Sequence, residues 1–221
     1  MRTPCVVRSA IASISALVLA ASPALAIDIP GPSVQVTANV SSTLTFNVTI
    51  TELIPNGSGG TTIGPVVTAM NFATLASNGT FDPDGAGPRG QEPRSLNSLK
   101  AFQVFFGINA QQRPFTIKQS SGPLQSGGNT IANGGFIVTP LDGVGGDISV
   151  PLPSHITKGS RTSAIGNNIV LFSSTGGGPS ATMAATYGIT DDPMKGATAA
   201  IPLDQPAGNY VTTITYTATV L

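Results

Sequence analysis

Ile214-Thr215-Tyr216-Thr217-Ala218-Thr219-Val220 alternates apolar and hydroxyl side chains without interruption, and Tyr210 and Thr213 extend the two sets upstream. Successive side chains of an extended chain point to opposite faces, so Tyr210, Ile214, Tyr216, Ala218 and Val220 form a buried face and Thr213, Thr215, Thr217 and Thr219 a solvated one. Threonine is β-branched and polar, which favours the extended backbone while facing water. The segment is a strand with one face against a core.

The same period of two recurs along the chain. Val34, Val36, Ala38, Val40, Leu44, Phe46, Val48 and Ile50 fall on even positions with Gln35, Thr37, Asn39, Thr45, Asn47 and Thr49 between them, broken at Ser41-Ser42-Thr43. Phe102, Val104, Phe106 and Ile108 repeat the pattern, and Phe115 and Ile117 follow a turn at Asn109 to Pro114, which predicts a hairpin of adjacent strands. Further strands are expected at Gly135–Thr139, Asp147–Leu152, Asn168–Ser173, Thr182–Ile189 and Ala197–Leu203. Val66–Leu75 fits either a short strand or one helical turn. Gly57, Gly59 and Gly60 mark a loop over Pro55–Thr62, and the Gly- and Pro-rich stretch 78–95 a long one. About ten short strands separated by turns predict an all-β, antiparallel sandwich of the immunoglobulin-like or pilin-like kind, with a closed β-barrel as the alternative.

Arg2 and Arg8, the apolar run Ala10–Ala21 and Ala24-Leu25-Ala26 have the order of a secretory signal peptide over residues 1–26, with the mature chain starting at Ile27. The expected location is secreted or at the cell surface, in the periplasm or beyond. Residues 27–221 form the single expected domain, long enough for a self-sufficient core. Cys5, the only cysteine, precedes the apolar run, so the mature chain is expected to lack both a disulfide and a lipid anchor. Without Arg2 and Arg8, eight basic side chains stand against ten acidic ones, a net charge of −2 that offers nothing to nucleic acid. No later apolar run approaches the ~20 residues of a membrane span.

The ending Gln205-Pro206-Ala207-Gly208-Asn209-Tyr210-Val211-Thr212-Thr213-Ile214-Thr215-Tyr216-Thr217 resembles the terminal strand of bacterial surface β-sandwich proteins: chaperone–usher pilins, their spore-coat-U-like relatives, and Gram-positive domains of the WxL type. Thr43-Leu44-Thr45-Phe46 is similar to an early strand of such domains. The resemblance implies that the last strand pairs with an assembly chaperone, and Gly208 stands at the family's glycine, fourteenth from the end. Val220 replaces the pilin's penultimate aromatic, the cysteine pair is missing, and a chain without Trp has no WxL motif. It also implies strand donation, in which Ile27–Val40 completes a neighbour's sandwich through Val34, Val36, Ala38 and Val40. The alternative is that this stretch is the first strand of its own domain.

Candidate chemistry is sparse. Asp82-Pro83-Asp84-Gly85 resembles part of a calcium loop, making Asp82 and Asp84 the only metal candidates, but Pro93 stands where the bidentate Glu belongs and Ala86 where an oxygen ligand belongs. His155 is the only histidine and no Gly-x-Ser-x-Gly elbow accompanies it, so it reads as a loop residue facing solvent. Asp191-Asp192-Pro193 and Gly176-Gly177-Gly178-Pro179 read as turns. Asn39, Asn47, Asn56 and Asn78 carry Asn-x-Ser/Thr sequons, two of them inside an expected strand. No enzyme activity, cofactor or metal centre is expected. The expected role is an exported structural subunit of a fimbrial, pilus-like or matrix assembly, associating with itself or another surface protein through Val34–Val40 and Tyr210–Val220. The alternative is a monomeric adhesin that holds a carbohydrate with the 78–95 loop.

Overall fold

The computed structural model describes residues 27–31, 44–56, 61–76, 96–131, 134–144, 150–176, 178, 180–190, 199 and 201–221. Residues 1–26, Val34, Val36, Ala38, Val40, the 78–95 loop with Asp82 and Asp84, and Asp191-Asp192 lie outside these. The described residues are all-β, with no helix. None therefore forms a helix long and apolar enough to cross a membrane.

Two antiparallel sheets make the architecture. The five-stranded sheet runs β1 (Ile27–Gly31), β15 (Ile214–Val220), β5 (Phe115–Ser121), β13 (Gly166–Ser174), β11 (Ile156–Lys158). The six-stranded sheet runs β12 (Thr162–Ser163), β8 (Phe136–Pro140), β14 (Ala181–Ile189), β4 (Ala101–Asn109), β2 (Thr45–Pro55), β3 (Thr61–Val67). Two small hairpins, β6 (Leu124–Ser126) with β7 (Asn129–Ile131) and β9 (Gly143–Val144) with β10 (Val150–Pro151), complete the strands. The sheets do not close on each other, so the sandwich expectation stands and the barrel alternative falls.

The alternation read from sequence is the burial pattern observed. Leu44, Phe46, Val48 and Ile50 are buried while Thr45, Asn47 and Thr49 are half-exposed, and Ile214, Tyr216, Ala218 and Val220 are buried between half-exposed threonines. Phe106 sits where the sheets meet. Its ring stacks on Phe46 of its own sheet at 6.5 Å and meets Phe172 and Tyr216 of the other at 6.0 and 5.1 Å. Aromatic pairs in this range add about 0.5–1.5 kcal/mol beyond the area they bury. One continuous apolar cluster thus joins both sheets.

Four local expectations need correction. The strands β4 and β5 do not pair as a hairpin: β4 lies between β14 and β2, β5 between β15 and β13, and the Ala110–Arg113 turn carries the chain from one sheet to the other. Alternation reports which side of a strand is buried and not which strand lies beside it, and both strands bury against one core from opposite sides. Secondly, the chain at Pro55–Thr62 is a hairpin whose ends pair, Pro55 opposite Thr61, with β3 running on to Val67. Thirdly, among the described residues of the two stretches expected at Ala197–Leu203 and Asp147–Leu152, Ile201 makes a single bridge with Leu96 and Val150–Pro151 pairs with β9. Finally, β15 begins at Ile214, so Tyr210 belongs to the turn before it.

Candidate functional site

Two places around the C-terminal strand offer function: the pairing of β15, and a recess beside the turn that leads into it. Ile27 lies opposite Val220, Asp28 opposite Thr219, and the ladder continues to Gly31 opposite Tyr216. On its other flank β15 pairs with β5 from Ile214 opposite Ser121 to Val220 opposite Phe115. The C-terminal strand is therefore interior to its sheet, and β1 is the edge. A neighbouring chain reaches the backbone of β15 only by taking the place of β1. The pairing observed at this seat is made by Ile27–Gly31; Val34, Val36, Ala38 and Val40 lie outside the described residues.

The approach to β15 is a corner built by Tyr210. Its hydroxyl donates to the Pro206 carbonyl at 2.7 Å and accepts from Gln205 Nε2 at 2.8 Å, so the Gln205–Tyr210 turn is closed by its own side chains. A hydroxyl reaching back along the chain is the device that sets tyrosine corners in sandwich folds. Val211 then exchanges both backbone hydrogen bonds with Gln125 at 2.9 Å, and Thr212 Oγ1 donates to the Gly122 carbonyl at 3.0 Å. Gly208 lies so close to β6 that a Cβ there would fall 2.4 Å from Ser126 Oγ, which excludes any other residue without movement.

Facing the corner across a gap is the irregular segment 69–75, turned by Asn71, whose Oδ1 accepts from the Ala73 amide at 2.9 Å while Ala73 takes φ 57°. Its Phe72 packs edge-on against Phe102 and Phe136 at 5.1 and 5.5 Å. Between the two segments opens a cavity of about 1000 Å³. The half-buried Met70, Phe72 and Leu75 supply apolar wall over the buried Leu124, Ile131 and Ile189, and Gln205, Asn209 and Thr212 supply polar groups. No charged side chain lines it among the described residues. The space is a recess partly open to solvent. Sequence reasoning missed it, because its walls come from five separated stretches and the one local signal, the Pro-Ala-Gly-Asn-Tyr turn, reads as strand entry.

Deep between the sheets lies the other polar cluster. Tyr187 Oη donates to Gln119 Oε1, Gln119 Nε2 donates to the Ala164 carbonyl at 2.9 Å, and Ser121 Oγ donates to the same carbonyl at 2.9 Å. Tyr216 Oη is buried and makes no hydrogen bond. Burial first, and then the nearby Tyr216 charge, holds the Tyr187 phenol well above its ordinary range, and burial likewise raises Tyr216. Neither phenol meets solvent, so this is core architecture and not a reaction centre.

The remaining expected residues do not converge. His155 is half-buried in the turn before β11, with its imidazole against Gly178, and not simply solvent-facing. Asp142 is taken by Lys158 at 2.5 Å. Among the described residues no three His, Cys, Asp or Glu side chains gather as a metal site. Nor is any described Tyr or Phe ring exposed in the manner of a sugar platform, since Tyr187 and Tyr216 are buried and Tyr210 is half-buried. Compared with known proteins, the chain matches no family model, no curated protein and no solved structure.

Proposed function

We propose that this chain is an exported structural subunit that assembles with copies of itself by exchange of its N-terminal strand. The observation that carries the reading is the seat of β1: a short edge strand paired with β15 alone, antiparallel, in a register running from Ile27 opposite Val220 to Gly31 opposite Tyr216. Main-chain hydrogen bonds of this ladder are indifferent to which copy supplies the strand. Twelve residues, 32–43, separate β1 from the first buried residue of β2's run, Leu44. A leader removed after Ala26 makes Ile27 the free amino end, which leaves β1 able to enter a ladder from its tip. The apolar and threonine faces of β15 remain the same whichever copy fills the seat.

The test uses the absence of cysteine after Cys5. Residues directly opposite in an antiparallel ladder bring their Cβ atoms to about 4.5–5.5 Å, near the reach of a disulfide. Mature protein carrying Asp28→Cys is mixed with protein carrying Thr219→Cys, oxidised, and run on a denaturing gel. Exchange predicts a cross-linked heterodimer from the mixture and a ladder of higher species from the double variant. A double variant that locks only within single chains, with no heterodimer from the mixture, removes the proposal. Filaments seen by electron microscopy that vanish on deleting 27–40, with a folded monomer left, complete the support.

A further inference from the structure

We infer that Pro30 caps the five-stranded sheet: a strand from a second copy of this chain can enter at the seat beside β15, but cannot add to the outer flank of β1. The cap acts whichever copy supplies β1, so it does not depend on strand exchange. Backbone direction carries the inference. The Leu221 amide donates to the Pro114 carbonyl at 2.9 Å, in the same register that sets Val220 opposite Phe115 and Thr217 opposite Lys118. Successive residues of a strand turn their N–H and C=O groups to alternate flanks. Leu221, Thr219 and Thr217 therefore turn theirs toward β5, and Val220, Ala218 and Tyr216 turn theirs toward β1. In β1, Ile27, Ile29 and Gly31 lie opposite those last three and form the hydrogen-bonded pairs. Asp28 and Pro30, opposite Thr219 and Thr217, turn their backbone groups outward.

Proline has no N–H, and its nitrogen bears a ring carbon in that place. At position 30 this removes no hydrogen bond from the ladder with β15, because the nitrogen faces the other flank. On that flank the loss is large: of the two residues whose backbone turns outward, Asp28 alone offers a donor. A strand approaching there would set a carbonyl against the proline ring. Proline is confined to such edge positions in sheets and blunts them against further pairing. The edge strand of the six-stranded sheet, β3, likewise carries a proline, Pro65. The flank of β15 that receives β1 has no such break, since Tyr216, Ala218 and Val220 all carry an N–H. The two flanks of β1 thus differ in kind, one fully paired and one closed to pairing.

Two measurements test the inference. In amide hydrogen exchange of the mature protein, followed by nuclear magnetic resonance in the monomer and in any assembly, we expect Ile29 and Gly31 to exchange at least tenfold more slowly than Asp28. A protected Asp28 amide, or Ile29 and Gly31 as fast as Asp28, overturns the inference. Sedimentation velocity then compares the unaltered chain with Pro30→Val and with the double variant Asp28→Pro, Pro30→Val, which moves the proline to the other outward position. None of the three differs in the backbone groups that face β15, so strand exchange contributes equally to all. We expect Pro30→Val to self-associate at least tenfold more tightly than the unaltered chain, and the double variant to return to the behaviour of the unaltered chain. Equal association of Pro30→Val and the unaltered chain, or a double variant that associates like Pro30→Val, overturns the cap. Should Pro30→Val not fold, the Asp28 amide of the unaltered protein decides by itself whether a strand has added to the outer flank.

Discussion

At the scale of single residues, the tyrosines separate by what their hydroxyls meet. Tyr187 donates to Gln119 Oε1, so Tyr187→Phe strands a buried acceptor and should destabilise the fold by about 1–3 kcal/mol. Tyr216 Oη is buried with no partner, so Tyr216→Phe removes a desolvated hydroxyl while keeping the ring contacts with Phe106 and Tyr187, and should stabilise by about 1 kcal/mol. Urea titrations of the two variants give both signs. The same pair predicts the response to alkali. Both phenols hold their protons more tightly folded than unfolded, so their contribution is whole below the ordinary value of 10.0 and is lost as pH rises above it. The slope is up to about 1.4 kcal/mol per phenol per pH unit. Stability should fall steeply above that value, with 295 nm absorbance of these phenols rising only on unfolding, and Tyr216→Phe should roughly halve the slope.

Single elements show where local sequence preference yields to the fold. The Ala110–Arg113 turn holds Gln111 and Gln112 at φ 51° and 66°, a region that favours Asn and Gly, and the Asn109 side chain supports it by accepting from the Gln111 amide at 3.1 Å. Gln111→Asn with Gln112→Gly should raise the thermal midpoint, by roughly 1–2 kcal/mol of stability. An unchanged or lowered midpoint would mean that the glutamines make contacts worth more than the strain. By contrast, the turn of the β6–β7 hairpin uses Gly127 at φ 57°, where the sequence and the geometry agree. The outer edge of the six-stranded sheet is guarded locally as well: β3 bulges at Gly64-Pro65 opposite Glu52, so the exposed Ile63 and Val66 sit on a strand unsuited to add another. The free edge at β11 is only three residues long.

For the whole molecule, one apolar cluster spanning both sheets predicts one cooperative transition. Phe106→Ala removes rings' contacts on both sides of the interface at once and should cost about 3–5 kcal/mol. Far-ultraviolet dichroism and tyrosine fluorescence should then still report the same midpoint; separate midpoints would show two units that melt independently. The faces of the strands were legible from the chain alone. Leu44 to Ile50 and Ile214 to Val220 each bury the side that alternation assigns, because the pleat of an extended backbone projects every second side chain the same way; in β4, between two neighbours, Ala101 and Gln103 of the other side are buried as well as Phe102, Val104, Phe106 and Ile108. Strand neighbours were not legible, as β4 and β5 demonstrate by entering different sheets across a four-residue turn, and neither was the cavity, whose walls meet only after the sandwich has formed. The sequence by itself determined the all-β class and the core-facing side of strands such as β2 and β15, since those follow from local period and side-chain chemistry, while the burial of both sides of β8 and β14 came from their neighbours. Only the tertiary structure decided that β1 lies beside β15 and that a recess opens between segment 69–75 and the Gln205–Thr212 turn, because hydrogen-bonded ladders and the walls of a recess are relations between segments far apart in the chain, on which local patterning has no hold.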